Sequence, residues 1–378
     1  MKKIGVYIHI PFCKSKCAYC SFNSYANKDN LKEDYLSSIC KEIDLYSETL
    51  SKYEIDTIYI GGGTPSNMPK GAIATIISEL KERTNILPDA EISIEVNPNA
   101  IDYFKAVEFK NCGINRISVG LQTAKKNCLQ AIGRTHTIDD YVKCMELLKD
   151  CGFTNINTDL MIGLPIQKLS DVKRTLNLVL KFGGTHISCY SLILEEGTPL
   201  FDMVQNKKLK IPKEEKTISM YNYTKNFLEE NNFLRYEVSN FSLPGSECKH
   251  NLNCWSMCDY IGFGAGAHSF VENTRYSNLE CIEDYIEKIS QNILPIKTSE
   301  NLTDSELLEE TIMLGLRKVE GIDLNVIKTR FKYDLLKEKE KVINNFIKNG
   351  FMEIKSNHLK ATDLGFAVLN KLILDLVV

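Results

Sequence analysis

Short runs rich in β-branched and aromatic residues recur along the first half of the chain, at Ile4–Ile10, Asp56–Ile60, Glu91–Val96, Arg116–Gly120, Asn155–Ile162 and His186–Ile193. Between them, apolar residues return every three or four positions at Leu31–Tyr53, Lys70–Arg83, Asp139–Cys151 and Leu169–Phe182. Several of these segments close on glycine, as helix C-termini do. Strands joined by crossover helices form a parallel sheet buried on both faces, and such units curl into a whole or partial barrel. The pattern therefore predicts an α/β fold, a partial TIM-like barrel of six strand–helix units. The opening Met1-Lys2-Lys3 and its apolar run look like a short signal peptide, but His9 and Pro11 interrupt the run and no small-residue cleavage site precedes Cys13. A buried first strand is the better reading.

Beyond Leu194 the alternation stops. Residues 196–295 carry a helix at Glu214–Glu230, a strand at Leu234–Phe241, the segment KHNLNCWSMCDYIGFGAGAHSF and another helix. From about Glu300 the pattern is three helices, a strand at Phe351–Ile354, a turn at Ser356-Asn357, a short strand and a last helix. We therefore expect a barrel over 1–195, an extension over 196–295, and a smaller, mostly helical, winged-helix-like domain over 296–378.

In parallel α/β architectures ligands sit at the carboxyl ends of the strands, so the residues following each strand map the expected site. Those residues are PFCKSKCAYCSF after the first strand, GGGTPS after the second, Glu95 and Asn97-Pro98 at the third, Gln122 after the fourth, and Asp159 with GLP at the fifth. Charge narrows the choice of ligand: 46 Lys and Arg against 49 Asp and Glu give a net −3, which offers no field to hold a nucleic-acid backbone. The winged-helix-like tail mixes both signs throughout, so DNA binding is not expected. No uncharged run reaches the roughly 18–20 residues of a membrane span. Thirteen cysteines, an odd number, favour a reducing compartment, and we expect a cytoplasmic protein with at most peripheral membrane association.

Cys13, Cys17 and Cys20 form C-x3-C-x2-C on the loop after the first strand. Thiolates so spaced converge on one metal centre, and soft sulfur selects zinc or an iron–sulfur cluster. Structural zinc wants four closed ligands, and no fourth Cys or His lies nearby in sequence; three thiolates on a four-iron cube leave one iron open to substrate. GFGAGAHS at Gly262–Ser269 lacks the strand–loop–helix context of a dinucleotide site. The remaining cysteines read as buried small hydrophobes.

The run VYIHIPFCKSKCAYCSF resembles the cluster loop of radical S-adenosylmethionine (SAM) proteins, specifically the oxygen-independent coproporphyrinogen oxidase-like group. The resemblance continues in order through GGGTPS, IEVNP, RISVGLQ, Gly133-Arg134-Thr135-His136 and DLMIGLP, covering most of residues 4–200. It implies a [4Fe-4S] cluster on Cys13, Cys17 and Cys20, with SAM chelating the open iron and an electron from the cluster cleaving the sulfonium to a 5′-deoxyadenosyl radical. It implies that Gly62, Gly63 and Thr64 meet the methionine head group, that Glu95, Gln122, Arg134 and Asp159 contact SAM, and that Tyr7 and Tyr19 pack beside the cluster and restrict solvent. For Arg134 and Asp159 a structural ion pair across the barrel mouth is the alternative; for Tyr7 it is core filling.

Within that group, the decarboxylating enzymes carry a fourth Cys two residues after the third, where this chain has Phe22. The branch thought to act as heme chaperones has Cys-x-Phe there, and a downstream His-Asn-x-x-Tyr-Trp motif. Here the segment reads His250-Asn251-Leu252-Asn253-Cys254-Trp255, with Cys in place of Tyr. The resemblance thus implies heme as cargo, His250 as a candidate axial ligand with Cys254 itself the alternative ligand of the iron, Trp255 as a flat wall, and a heme-acceptor protein as partner. Anaerobic coproporphyrinogen decarboxylation is the alternative activity, and Cys248, His250, Cys254 and Cys258 the alternative ligands of zinc or an auxiliary cluster.

Overall fold

A computed structural model describes residues 1–377. The six strands run β1 (Lys2–Ile10), β2 (Tyr53–Gly62), β3 (Asn85–Val96), β4 (Arg116–Gln122), β5 (Asn155–Ile162) and β6 (His186–Ser191). Each lies beside the next and all are parallel. The crossovers carry α1 (Lys32–Leu45), α2 (Ala72–Arg83), α3 (Tyr103–Cys112), α4 (Ile138–Asp150) and α5 (Leu169–Phe182). In α2, Ile73, Ile76, Ile77 and Leu80 form one buried stripe, each side chain contributing roughly 1.5–3 kcal/mol by leaving water. A capping box between Thr137 and Asp140 starts α4, satisfying donors that the first turn leaves unpaired.

The predicted helix Leu31–Tyr53 is corrected. It ends at Leu45, a further turn covers Ser47–Leu50, and Tyr53 already belongs to β2, where it pairs with Lys2. The strands are buried on both faces as expected, β4 along its whole length, but only one face is apolar. Alternate residues Ile58 and Ile60 of β2, Ile92 and Ile94 of β3, and Ile117 and Val119 of β4 pack in the core shared with the helices. The register aligns the intervening positions in rows across the sheet: Gly5 with Thr57 and Glu91; Tyr7 with Tyr59, Ser93 and Arg116; Glu95 with Ser118, Asn157 and His186; and Gly120 with Asp159 and Ser188. The concave face of the barrel is thus polar in every strand, and a period of two is the reason.

The sheet is not closed. After α6 (Glu214–Glu230), β7 (Leu234–Arg235) and β8 (Asn240–Ser242) form a hairpin whose second strand pairs antiparallel with β6. The single strand predicted over Leu234–Phe241 is therefore two, because the chain reverses between them. Helix α7 (Lys249–Trp255) follows, and β9 (Tyr260–Phe263) then joins the free side of β1 in parallel. Strands β10 (His268–Val271) and β11 (Thr274–Asn278), helix α8 (Ile282–Ser290) and β12 (Ile296–Asn301) complete a 12-stranded sheet. The tail has its own core, including Leu316, Ile327, Leu359 and Leu372. It begins with α9 (Asp304–Gly315) and holds a small sheet of β13 (Ile322–Asp323), β14 (Met352–Lys355) and β15 (His358–Ala361). Ser356 and Asn357, both at positive φ, make the two-residue turn between the last two strands. No helix among the described residues is long and apolar enough to cross a membrane.

Candidate functional site

The loop bearing the three predicted cysteines is pinned on all sides. Gly63 N donates to Ile10 O at 2.8 Å, Thr64 N to Phe12 O at 2.9 Å, and Ala18 N to Ile132 O at 2.9 Å. Phe12–Cys13 pairs in parallel with Tyr25–Ala26, and the Asn23 amide donates to the carbonyls of Ala265 and Glu280, both at 3.0 Å. His9 links this exit to the barrel. Its Nε2 lies 2.8 Å from the Asn23 carbonyl, an acceptor, so Nε2 bears the proton and Nδ1 accepts from Tyr7 OH at 2.9 Å.

Cys13, Cys17 and Cys20 open onto one cavity of about 290 Å³ at the carboxyl ends of the strands, and Tyr19, Gly62, Gly63, Thr64, Glu95, Gln122, Arg134 and Asp159 line it with them. The glycines are required by three different neighbours. A Cβ on Gly61 would lie 3.0 Å from Glu95 Oε1, on Gly62 2.6 Å from the His9 ring, and on Gly63 3.0 Å from Cys13 Sγ. Among the described residues no three His, Cys, Asp or Glu side chains are grouped to hold a single metal ion, while Cys13, Cys17 and Cys20 line the same cavity.

A hydrogen-bond chain crosses the mouth. Arg134 donates through Nη2 to Tyr19 OH at 3.0 Å and through Nη1 to Asn97 Oδ1 at 2.7 Å; Asn97 Nδ2 donates to Thr64 Oγ1 at 3.1 Å, and that hydroxyl to Cys13 Sγ at 3.7 Å. Burial alone would weaken the Arg134 charge, but Tyr19 and Cys17 beside it raise its pKa. Its Nε is buried without a partner, a donor free for a ligand. The Arg134–Asp159 ion pair is absent among the described residues: Asp159 accepts instead from Ser118 at 3.0 Å and Asn157 at 2.7 Å. Glu95 accepts from Tyr59 OH at 2.9 Å and Gly62 N at 3.1 Å, while burial, reinforced by Asp159, lifts its pKa to about 7.

Tyr7 and His250 are not with this group. They line a neighbouring cavity of about 780 Å³ that shares Lys16, Phe22, Gly62 and Glu95 with the first. His250 is buried against the middle of β1 and β2. Its Nδ1 is 3.0 Å from Thr57 Oγ1, its ring stacks on Tyr59 at 5.4 Å, and burial lowers its pKa to about 4. Trp255 lines a third cavity of about 580 Å³, separate from His250.

Sequence reasoning missed what fixes α7 in place. Glu91 of β3 accepts the backbone N–H groups of Lys249 and His250, both at 3.1 Å, at the start of that helix. Arg116 faces Glu91 with Nε 3.9 Å from Oε2, both side chains buried. From Asp159 a second chain runs through Asn157, His186 (Nδ1 to Asn157 Oδ1, 2.6 Å) and Tyr236 (OH to His186 Nε2, 2.7 Å) to Cys248 N at 3.2 Å. Tyr59 and His9 were also overlooked as site residues, while Asn97, expected after the third strand, is in place; the period-two polar positions in otherwise apolar strands are the signal that finds Tyr59 and His9.

Residues 7–179 match the radical SAM superfamily and residues 302–368 the HemN C-terminal domain. The chain is 35% identical over 319 residues to the heme chaperone HemW of Bacillus subtilis, covering 84% of each chain. Over 375 residues it is 32% identical to the heme chaperone HemW of Lactococcus lactis, covering 98% of this chain and 96% of that one. Its fold is that of the coproporphyrinogen III oxidase HemN of Escherichia coli, with a TM-score of 0.87 at 21% identity, over 99% of this chain and 90% of the other. A polar-lined parallel barrel, three thiols on the loop after its first strand and full-length similarity to HemW place this chain in the radical SAM superfamily, as a member of its HemN-like group.

Proposed function

We propose that this chain is a radical SAM-type heme chaperone that holds a [4Fe-4S] cluster, SAM and heme and passes heme to an acceptor protein. The observation carrying the reading is that residues from the cluster loop and from five further strand–loop units line one cavity with the three thiols. Cys13, Cys17 and Cys20 would hold three irons. Gly62, Gly63 and Thr64 lie where a head group needs close backbone approach, and Glu95, Gln122, Arg134 and Asp159 offer both signs of charge to a zwitterion. A reduced cluster supplies, when bound, the electron that cleaves the sulfonium. Tyr19, fixed by Arg134, would restrict water at this cavity, and Tyr7, bonded to His9, would do so only from the adjoining cavity.

Heme would be held at α7, which carries two iron-binding side chains one turn apart, His250 and Cys254. We read 1–195 as the cofactor barrel, 196–295 as the extension bearing this segment, and 296–378 as the tail domain, of which Val378 lies outside the described residues. The working compartment is the cytoplasm, with no nucleic-acid partner and at most peripheral contact with a membrane.

The test is anaerobic reconstitution followed by three measurements. Iron and acid-labile sulfide should be present in the wild type and lost together in Cys13→Ala, Cys17→Ala and Cys20→Ala. Heme should bind stoichiometrically and move to an apo-hemoprotein on mixing. With reductant, SAM and coproporphyrinogen III, no protoporphyrinogen should form; its formation would replace the chaperone reading with the oxidase one, against which Phe22 in the fourth-cysteine position argues.

A further inference from the structure

The hydrogen-bond chain behind Asp159 can run in one direction only. Asp159 accepts, so the Asn157 amide turns Nδ2 toward it, 2.7 Å from Oδ1, and leaves its own Oδ1 facing His186 Nδ1 at 2.6 Å. Two acceptors cannot share that contact, and the His186 proton therefore sits on Nδ1. Burial, with the Arg116 charge nearby, pushes the His186 pKa well below the usual imidazole range, so the ring is neutral and Nε2 is an acceptor. Tyr236 OH donates to it at 2.7 Å and itself accepts the Cys248 N–H at 3.2 Å. Every donor from Cys248 onward points toward Asp159.

Asn157 has no freedom left in this arrangement. Its Oδ1 also accepts from Ser188 Oγ at 3.2 Å, its Nδ2 also donates to Ser118 Oγ at 2.7 Å, and Ser118 Oγ donates to Asp159 Oδ2 at 3.0 Å. The contacts a carboxamide can make are all present. Asn157, His186, Ser118 and Ser188 are each 3% exposed or less, whereas Asp159 is half-buried and lines the first cavity with Gln122 and Arg134. Each Asp159 oxygen thus takes one donor from within the barrel and keeps lone pairs for whatever fills the cavity. Aliphatic side chains would fill these buried positions at lower cost unless the polar ones serve a site, because a buried polar group is tolerated only when paired. Here β4, β5, β6 and the extension supply a fully paired set that ends on a carboxylate at the cavity wall.

Tyr236, toward the other end, lies between β7 and β8. Its carbonyl accepts Val319 N of the tail at 3.0 Å, and its hydroxyl holds Cys248, the residue before α7. We propose that His186, as the Nδ1–H tautomer, is a positioning residue of the cofactor cavity: through Asn157 it fixes the Asp159 carboxylate as the acceptor for a ligand bearing a positive charge or a hydroxyl, and through Tyr236 it ties that carboxylate to the start of α7. SAM carries such groups in its ammonium, sulfonium and ribose hydroxyls, and the assignment rests on the SAM reading above. A residue that orients a ligand-binding side chain without touching the ligand changes affinity by about tenfold or more when removed.

Nitrogen-15 magnetic resonance of the full chain, labelled at histidine, reads the tautomer directly. The His186 ring, identified by its loss in His186→Asn, should be protonated on Nδ1 and unchanged between about pH 6 and 9, and SAM added to the anaerobically reconstituted protein should shift both of its nitrogens. Calorimetry supplies the second arm. SAM affinity should fall about tenfold in Asn157→Asp, which keeps the size and the acceptor contacts but turns an oxygen to Asp159, and about tenfold in His186→Leu. His186→Asn, whose amide can still donate to Asn157, should recover most of that loss. Melting temperature and Trp255 emission of each variant separate lost positioning from lost folding, and the tautomer measurement needs neither the leucine nor the aspartate variant. A ring protonated on Nε2, or wild-type SAM affinity in folded Asn157→Asp and His186→Leu, would overturn the assignment while leaving the SAM reading intact. Failure of the wild type to bind SAM at all would remove the SAM reading itself, and with it the role, though not the tautomer.

Discussion

Replacing Gly62 with alanine puts a methyl group 2.6 Å from the His9 ring on a backbone at φ +112°. The ring cannot swing away cheaply, because Tyr7 holds one nitrogen and the Asn23 carbonyl the other. Two costs add: about 1–2 kcal/mol for an L-residue at positive φ and about 1–3 kcal/mol for overpacking a fixed neighbour. Gly71 supplies the control, since it is also at positive φ, +88°, but a Cβ there meets nothing within 4 Å. Gly71→Ala should therefore cost only the first term, and Gly62→Ala about 1–3 kcal/mol more. With a denaturant slope of about 3 kcal/mol/M, urea midpoints of the two variants should differ by about 0.3–1 M, read from Trp255 fluorescence. Adding His9→Ala should recover most of the second term in a double-mutant cycle. Equal midpoints for the two glycine variants, or no coupling to His9, would refute the claim that His9 is clamped between the barrel and the cluster loop.

Three further outcomes follow from the same geometry. Glu42 accepts from Gly264 N, Asn278 and Tyr285 OH, yet burial outweighs those bonds and raises its pKa from 4.5 to about 7. The native state therefore binds more protons between pH 4.5 and 7, and stability contributed here falls as pH rises through that window, by on the order of 3 kcal/mol. Glu42→Gln should flatten that part of the stability–pH profile measured by thermal unfolding; an unchanged slope counts against it. Glu91→Ala strips the cap from α7 and strands the Arg116 charge, so it should destabilise by about 3–5 kcal/mol and red-shift Trp255 emission; a native-like emission and melting point would show that α7 is held by other contacts. Arg134→Lys cannot bridge Asn97 and Tyr19 with a single ammonium, and calorimetry should show SAM affinity reduced about tenfold with the iron content intact; unchanged affinity would take Arg134 out of the site.

Much of the barrel was legible because two periodicities coexist in it. Ile73, Ile76, Ile77 and Leu80 announce a helix, and runs such as Arg116–Gly120 announce strands. What those runs also contained, and what was read past, is the alternation itself: Arg116, Ser118 and Gly120 on one face, Ile117 and Val119 on the other. That period of two separates a barrel lined for polar ligands from a sheet with apolar faces. The placement of Cys13, Glu95 and Asp159 at one cavity follows from strand order alone, since parallel strands put their carboxyl ends on one side. The partner of Arg134 did not follow, because Asn97 and Tyr19 arrive from different loops and an opposite charge, Asp159, stood as the simpler choice. The boundary at Tyr53 was lost for a local reason: β2 begins with the same apolar spacing that continues α1, and only pairing with Lys2 decides between them. The bond of His250 to Thr57, 193 positions away, is invisible without the fold.

The anchorage of the segment from Cys13 to Asn23 bears on oxidative damage. Both of its ends are tied to the body of the protein, at one side by Gly63 and Thr64 and at the other by His9, Ala265 and Glu280. Loss of the proposed inorganic centre to oxygen would release a short arc and leave its moorings in place. Reloading is then a local repair on a standing scaffold, with little chain entropy to recover, and the injured molecule need not be unfolded and replaced.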